Sequence, residues 1–88
     1  MVRLRFEIWE TSKSQECSAA SESWDRLRDD TARFVEAFDA STHEEAMNHR
    51  HKRNGWAPYK PIPGVTDQPF TEAQLAEQEA YLAVRPSR

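Results

Sequence analysis

Apolar and polar side chains alternate through the first nine residues of the chain. Every second residue from Val2 to Ile8 is apolar, and the positions between them carry charge or, at Trp9, an indole ring. Side chains along a β-strand point alternately to its two faces. The pattern therefore predicts a strand with one buried face.

Residues 33–40 form a second alternating segment, with apolar side chains on both faces. Phe34, Glu36 and Phe38 share one face, whereas Ala37 lies on the other. Apolar residues on both faces are typical of a strand that is covered on each side. We therefore expect this strand to be more central in the sheet than the first.

Three helices are predicted from the positions of capping residues. Ser and Thr side chains accept hydrogen bonds from the free backbone N–H groups at a helix start, and glycine often ends a helix because it adopts the left-handed conformation. The predicted helices run from Ser21 or Ser23 to about Thr31, from Ser41 or Thr42 to Gly55, and from Thr71 to Pro86.

The first of these helices carries one narrow apolar stripe. Ala20, Trp24, Leu27 and Thr31 follow one another at spacings of four, three and four residues. Such spacing places them on one side of a helix. We therefore expect Trp24 and Leu27 to pack on the core.

Together these elements predict an α+β fold, with a small two- or three-stranded sheet, helices packed on one face, and a C-terminal helix after a Pro-rich connector. We place the α+β core domain in residues 1–65 and a C-terminal helical extension in residues 66–88. The composition of residues 16–19 does not decide whether they form a third strand. If the two firm strands are neighbours joined through the first helix, they run parallel with a right-handed crossover.

The composition indicates a folded domain with a thin core. Hydrophobic residues make up 38% of the 88 residues and the mean hydropathy is −0.91, yet the chain holds three Trp, two Tyr and four Phe. A chain of this length buries only about 60% of its unfolded surface, so self-association would stabilise it. Cys17 is the single cysteine, and no apolar segment reaches the length of a membrane span. We therefore expect a cytoplasmic protein.

One basic segment, residues 50–60, lies in a chain whose formal net charge is −3. Cations interleaved with aromatic rings suit single-stranded nucleic acid. The alternative is a cationic helix C-terminus that complements the helix dipole, followed by aromatic rings folded back on the core. The members of this candidate binding surface are Arg50, Lys52, Arg53, Trp56, Tyr59 and Lys60.

No catalytic or cofactor-binding constellation is recognisable in the sequence. The only glycines, Gly55 and Gly64, are too few for a phosphate-binding loop. His49 and His51 would lie on different sides of a helix, and His43 and His51 would be about 12 Å apart along its axis. We therefore expect a protein that is not an enzyme and that binds no metal or cofactor.

The C-terminal helix has apolar residues on two sides. Small apolar residues from Ala73 to Val84 form one stripe, and Leu75 and Leu82 lie nearly opposite. One side is expected to pack within the domain and the other on a partner, unless the alanines are only good helix formers on a solvated side. Leu75 and Leu82 therefore join the candidate binding surface.

Residues 6–10 contain the motif Glu7–Glu10 (EIWE), and residues 34–61 contain Thr42–Ala46 (THEEA) and Gly55–Pro61 (GWAPYKP). In these two regions the chain resembles a set of short bacterial proteins of unknown function. The resemblance covers about half of the chain and implies a bacterial domain. It implies no activity.

These features predict a small non-catalytic protein-binding accessory or regulatory module, with a protein partner or a second copy of itself in a homodimer. The alternative is a nucleic-acid-binding module that uses residues 50–60. A contiguous patch of the four cations of that segment would favour nucleic acid, and an apolar patch would favour a protein.

Overall fold

The computed structural model describes residues 1–86, which form a three-stranded antiparallel sheet and three α-helices. This confirms the predicted α+β class and the C-terminal helix. The last two residues of the predicted extension lie outside the described residues. The elements are β1 Leu4–Glu10, β2 Gln15–Ala19, α1 Glu22–Leu27, β3 Arg33–Ala40, α2 His43–Asn54 and α3 Glu72–Val84.

The strand order is β2-β1-β3, so β1 is the central strand. The prediction that β3 is the more central strand is wrong. β2 occupies the other side of β1 and leaves β3 with a single neighbour within residues 1–86. Apolar residues on both faces of β3 therefore do not reflect a central position.

The conditional prediction of a parallel β1–β3 pair is also wrong. β2 reverses the chain after residues 11–14, so α1 connects β3 with β2 and not with β1. As a result β3 runs antiparallel to β1, which lies between the two strands that α1 joins.

The first face of the sheet holds the apolar core. Leu4 and Phe6 of β1 pack with Ala46 and Met47 of α2. The ring of Phe6 stacks on that of Phe38, with their centroids 5.8 Å apart. Burial of these side chains between α2 and the sheet is the main apolar contribution to stability.

α2 begins and ends at the residues its sequence predicts. The hydroxyl of Thr42 accepts a hydrogen bond of 3.0 Å from the N–H of Glu45. Gly55 follows the last turn with a φ of 70°, and the N–H groups of Gly55 and Trp56 bond to carbonyls of that turn. A residue with a Cβ atom would adopt this left-handed conformation at a cost of about 1 kcal/mol.

The second face of the sheet is covered as well. Glu7 and Trp9 of β1 are only 1% and 7% exposed. Arg28, which follows α1, lies 4.1 Å from the centroid of the Trp9 ring, and Arg85, which follows α3, contacts Glu7. The helices therefore do not all pack on one face, because the ends of α1 and α3 cover Glu7 and Trp9 on the face opposite α2.

α1 is shorter and more exposed than its sequence predicts. It ends at Leu27 rather than near Thr31, because Arg28 has an extended backbone and turns its side chain to the sheet. Leu27 is 78% exposed, and Trp24 is exposed as well. The predicted core stripe is therefore wrong.

α3 joins the sheet through the buried side-chain amide of Gln78. Its oxygen accepts a hydrogen bond of 2.8 Å from the N–H of Arg5, and its nitrogen donates to the carbonyls of Arg5 and Ala20. The amide thereby occupies the position next to β1 where β2 would continue. The domain boundary at residue 65 stays a prediction, and α3 contacts the core from beyond it, also through Leu75.

None of the helices within residues 1–86 has the length and apolar character needed to cross a membrane.

Candidate interaction surfaces

Buried charges on the second face of the sheet form one network. Arg85 donates to both carboxylate oxygens of Glu7 at 2.7 Å and to both of Asp25 at 2.9 Å. Tyr81 and Arg28 also donate to Asp25. No buried side-chain nitrogen or oxygen among residues 1–86 lacks a hydrogen-bond partner. The network thus compensates the charges that it buries.

The two carboxylates of this network are held in the ionised form. Burial acts to raise the pKa of Glu7, but hydrogen bonds, led by that from Arg85, outweigh it and lower the pKa to about 2. Burial likewise opposes hydrogen bonds from Arg85 and Tyr81 at Asp25, and the pKa of Asp25 is lowered. Carboxylates of such low pKa are poor proton acceptors at neutral pH. Their evident role is to hold the ends of α1 and α3 on the sheet.

α2 directs the two arginines of the basic segment to different strands. Arg53 pairs with Glu36 of β3 at 3.0 Å. Arg50 donates to the side chain and the backbone carbonyl of Gln15 in β2, at 2.7 and 2.8 Å. Lys52 is exposed. Two of the four cations of the candidate surface are thus held in contacts with the two outer strands.

A β-bulge determines which face of β3 carries Glu36. Residues 8 and 9 of β1 pair with Glu36 and Phe34, so Val35 has no partner in the register. The bulge turns Phe34 to the second face, and the prediction that it shares a face with Glu36 is wrong. Glu36 instead faces α2, where His49 lies 3.0 Å away and stacks on Phe38.

Trp56 and Tyr59 differ in how far they fold back on the domain. Tyr59 is partly buried, packs against the core and contacts the ring of His51. Trp56 is 49% exposed and lies between His51 and the guanidinium of Arg50, 5.3 Å from its ring centroid. The folded-back interpretation therefore holds for Tyr59, whereas half of Trp56 remains on the surface.

Leu75 and Leu82 lie on the inner side of α3. Both are partly buried, and Leu75 packs against the core. The opposite stripe, from Ala73 to Val84, is exposed. Leu75 thus holds α3 on its own domain, and small side chains form the outer side of the helix.

Three exposed apolar side chains lie on α1 and at the start of β3, at positions that the sequence did not single out as a surface. Phe34 is 48% exposed and contacts Trp9 edge to face, at 5.6 Å between centroids. Leu27 lines the same small depression as Trp9, and Trp24 lies one turn earlier on α1. Trp24 and Leu27 were predicted to be core, because nothing in the local pattern revealed how short α1 is.

The outer edge of β3, the strand that carries Phe34, has free backbone groups. The N–H and C=O of Arg5 bond to Gln78 and Ala20, on the β2 side of β1. Backbone groups along an antiparallel strand point alternately to its two sides. Asp39, which is opposite Arg5, and Ala37 therefore direct their N–H and C=O groups away from β1. No strand within residues 1–86 pairs with this edge.

Two features limit the length of the open edge. The guanidinium of Arg3 donates to the carbonyl of Asp39 at 2.8 Å. The bulge at Val35 interrupts the strand at its other end. Both are devices that shield edge strands from unspecific pairing. The part that remains open comprises the N–H and C=O of Ala37 and the N–H of Asp39.

Within residues 1–86, no three His, Cys, Asp or Glu side chains come together as a metal ion would require. Comparison of the chain with protein-family models, with curated proteins and with solved structures finds no significant match.

Proposed function

We propose that this protein is a small non-catalytic protein-binding module of the cytoplasm, and that it binds its partner along the outer edge of β3. The observation that carries the proposal is an open strand edge beside a half-exposed Phe34. Strand addition uses the backbone groups of such an edge for affinity and the neighbouring side-chain surface for specificity.

The cover on the second face of the sheet supports this choice of surface. Arg28 and Arg85 contact Trp9 and Glu7 of β1, and the described contacts of this cover do not extend to β3 beyond Phe34. An added strand would extend the sheet and cover the exposed part of Phe34. Burial of the exposed half of one Phe ring would contribute roughly 1 kcal/mol to binding.

Selection of extended peptides from a displayed library tests the proposal. We expect peptides selected on the parent protein to bind Phe34→Ser at least tenfold more weakly, because the ring flanks the pairing edge. Val84→Ser is the matched control, since Val84 is an exposed apolar residue on the outer side of α3. Peptides that bind both variants as well as the parent would contradict binding at β3.

Nucleic acid is the second candidate, supported by the exposure of Lys52 and Lys60 near the half-exposed ring of Trp56. Two free cations and one ring would give a weak affinity that falls steeply with salt. We expect no binding of a single-stranded oligonucleotide at physiological salt in a Trp fluorescence titration. Micromolar binding that is lost in the Lys52→Glu, Lys60→Glu double variant would favour this candidate instead.

A further inference from the structure

We infer that Asn54, the last residue of α2, is a deamidation site that Gln15 of β2 holds unreactive in the folded protein. The inference is independent of the proposed function. Asn54 precedes Gly55, which has no side chain to hinder attack of its backbone nitrogen on the asparagine amide. Asparagine is among the chemically labile residues of proteins. The other asparagine of the chain, Asn48, precedes a histidine and lacks this feature.

Deamidation of Asn54 consumes one water molecule and releases one ammonia molecule. The backbone nitrogen of Gly55 loses its proton and bonds to the side-chain carbonyl carbon of Asn54. The bond from that carbon to Nδ2 breaks, and Nδ2 leaves as ammonia. Water then opens the resulting five-membered imide at either of its carbonyls. The products are aspartate, and isoaspartate, in which the main chain runs through the former side chain.

Gln15 holds both polar atoms of the Asn54 side chain. Nδ2 of Asn54 donates to Oε1 of Gln15 at 2.9 Å, and Oδ1 accepts from Nε2 of Gln15 at 3.3 Å. Gln15 is itself fixed, because Arg50 donates to its Oε1 at 2.7 Å and Glu10 accepts from its Nε2 at 3.0 Å. An amide that is bonded to β2 through both atoms is not free to turn onto its own main chain.

The attacking nitrogen is held as well. The N–H of Gly55 donates to carbonyls of the last turn of α2, among them that of Lys52 at 3.2 Å. The N–H of Trp56 donates to the carbonyl of His51 at 2.9 Å. A hydrogen-bonded amide loses its proton mainly through local opening. Deamidation therefore requires the end of α2 to open and the contact with Gln15 to break.

Conversion of Asn54 would release the end of α2 irreversibly. Aspartate has no N–H to donate to Gln15, and it adds a negative charge at a helix C-terminus, where the helix dipole disfavours it. Isoaspartate lengthens the main chain by one methylene group just before Gly55 and displaces the hydrogen bonds of the cap. The half-exposed ring of Trp56, which contacts Arg50 beside this cap, would lose its fixed position.

Incubation of the protein at mildly alkaline pH, followed by peptide mapping with mass spectrometry, tests the inference. The fractions of aspartate and isoaspartate at position 54 are the readout. We expect the folded parent to convert at least tenfold more slowly than the parent unfolded in urea. Gln15→Ala frees the Asn54 amide and should convert about tenfold faster than the folded parent.

Gln74→Ala is the matched control. It also removes a glutamine side chain from a helix end, because Gln74 accepts from the N–H of Thr71 in the cap of α3. Urea unfolding gives the unfolded fraction of each variant, and this fraction multiplied by the rate in urea gives the conversion due to global unfolding alone. Gln15→Ala should exceed that rate, and Gln74→Ala should convert like the parent.

Two results would overturn the inference. If the folded parent converts as fast as the parent in urea, the fold does not protect Asn54. If Gln15→Ala converts no faster than Gln74→Ala, or no faster than its unfolded fraction requires, Gln15 is not the residue that holds the site unreactive.

Discussion

β1 and β3 are neighbouring strands with similar alternation, but they lie in opposite environments. In β1 both faces are buried, including the carboxylate of Glu7. In β3 the ring of Phe34 is half exposed, and Arg33 and Asp39 are exposed. The difference shows that strand order and long-range cover, rather than the apolar pattern of a strand, decide which strand is interior.

Charged side chains cover the second face of β1, and this cover accounts for the difference in burial between β1 and β3. Glu7 is buried because Arg85, distant in sequence, supplies two hydrogen bonds to it. β3 receives no comparable arginine on its second face within residues 1–86. Variants that remove the cover from β1 should therefore cost far more stability than variants of β3.

The largest effect is expected for Arg85→Ala. The change leaves Glu7 and Asp25 buried without their common partner, and loss of one member of a buried ion pair costs about 3–5 kcal/mol. Urea unfolding measures it. Arg26→Ala is the control, because Arg26 pairs with Glu22 in solvent and such pairs contribute less than about 1 kcal/mol. If both variants unfold at the same urea concentration, the network does not hold α1 and α3 on β1.

Acid should weaken the ion pairs that hold α3 on β1, over the pH range in which Glu7 takes up a proton. The pKa of Glu7 is about 2 in the folded protein, below its ordinary value of 4.5. The ionised carboxylate therefore stabilises the fold above pH 4.5 by about 3 kcal/mol, and this contribution is lost as the pH falls from 4.5 towards 2. The lowered pKa of Asp25 acts in the same direction.

Unfolding experiments between pH 2 and 7 on the parent and on Glu7→Gln check this expectation. The variant should lose stability less steeply below pH 4.5, because the titrating carboxylate is absent. Superimposable pH profiles of the two proteins would show that Glu7 is not the group that titrates.

A smaller effect is expected for Trp56→Ala. A buried large aromatic contributes about 3–5 kcal/mol, and the half-exposed ring of Trp56 should contribute about half of that, or about 2 kcal/mol. Tyr59→Ala is the matched comparison, because Tyr59 packs against the core and should cost more. Equal losses in thermal unfolding would mean that both rings are equally buried in solution.

The smallest effect on monomer stability is expected for Phe34→Ser, at about 1 kcal/mol, because half of the ring is already in solvent. Trp9→Ala removes the neighbouring buried ring of β1 and should cost about 3–5 kcal/mol. Urea unfolding of dilute protein measures both. If Phe34→Ser lost as much stability as Trp9→Ala, the two strands would not differ in burial as the account requires.

Local features of the fold could be predicted from the sequence. The alternation that begins at Val2, the caps at Thr42 and Thr71, and the glycine at position 55 act over a few residues, and the structure has each of them. Both capping hydroxyls accept the expected backbone N–H. Such elements depend on neighbouring residues only, which a single sequence shows directly.

Features that depend on distant partners could not be predicted. Glu7 occupies a polar position of the alternation, and only the approach of Arg85 shows that this position is buried. The bulge at Val35 changes the face of Phe34 without any glycine or proline to indicate it. The candidate cations of residues 50–60 were visible in the sequence, but the contacts of Arg50 with Gln15 depend on the strand order.

Amide hydrogen exchange along β3 tests most directly whether its outer edge is open. Phe38 N–H points to β1 and serves as the internal reference, whereas the N–H groups of Ala37 and Asp39 point outward. We predict that, in dilute protein, Ala37 and Asp39 exchange at least about 100-fold faster than Phe38. Protection of Ala37 and Asp39 equal to that of Phe38 at the lowest concentration would contradict an open edge on β3.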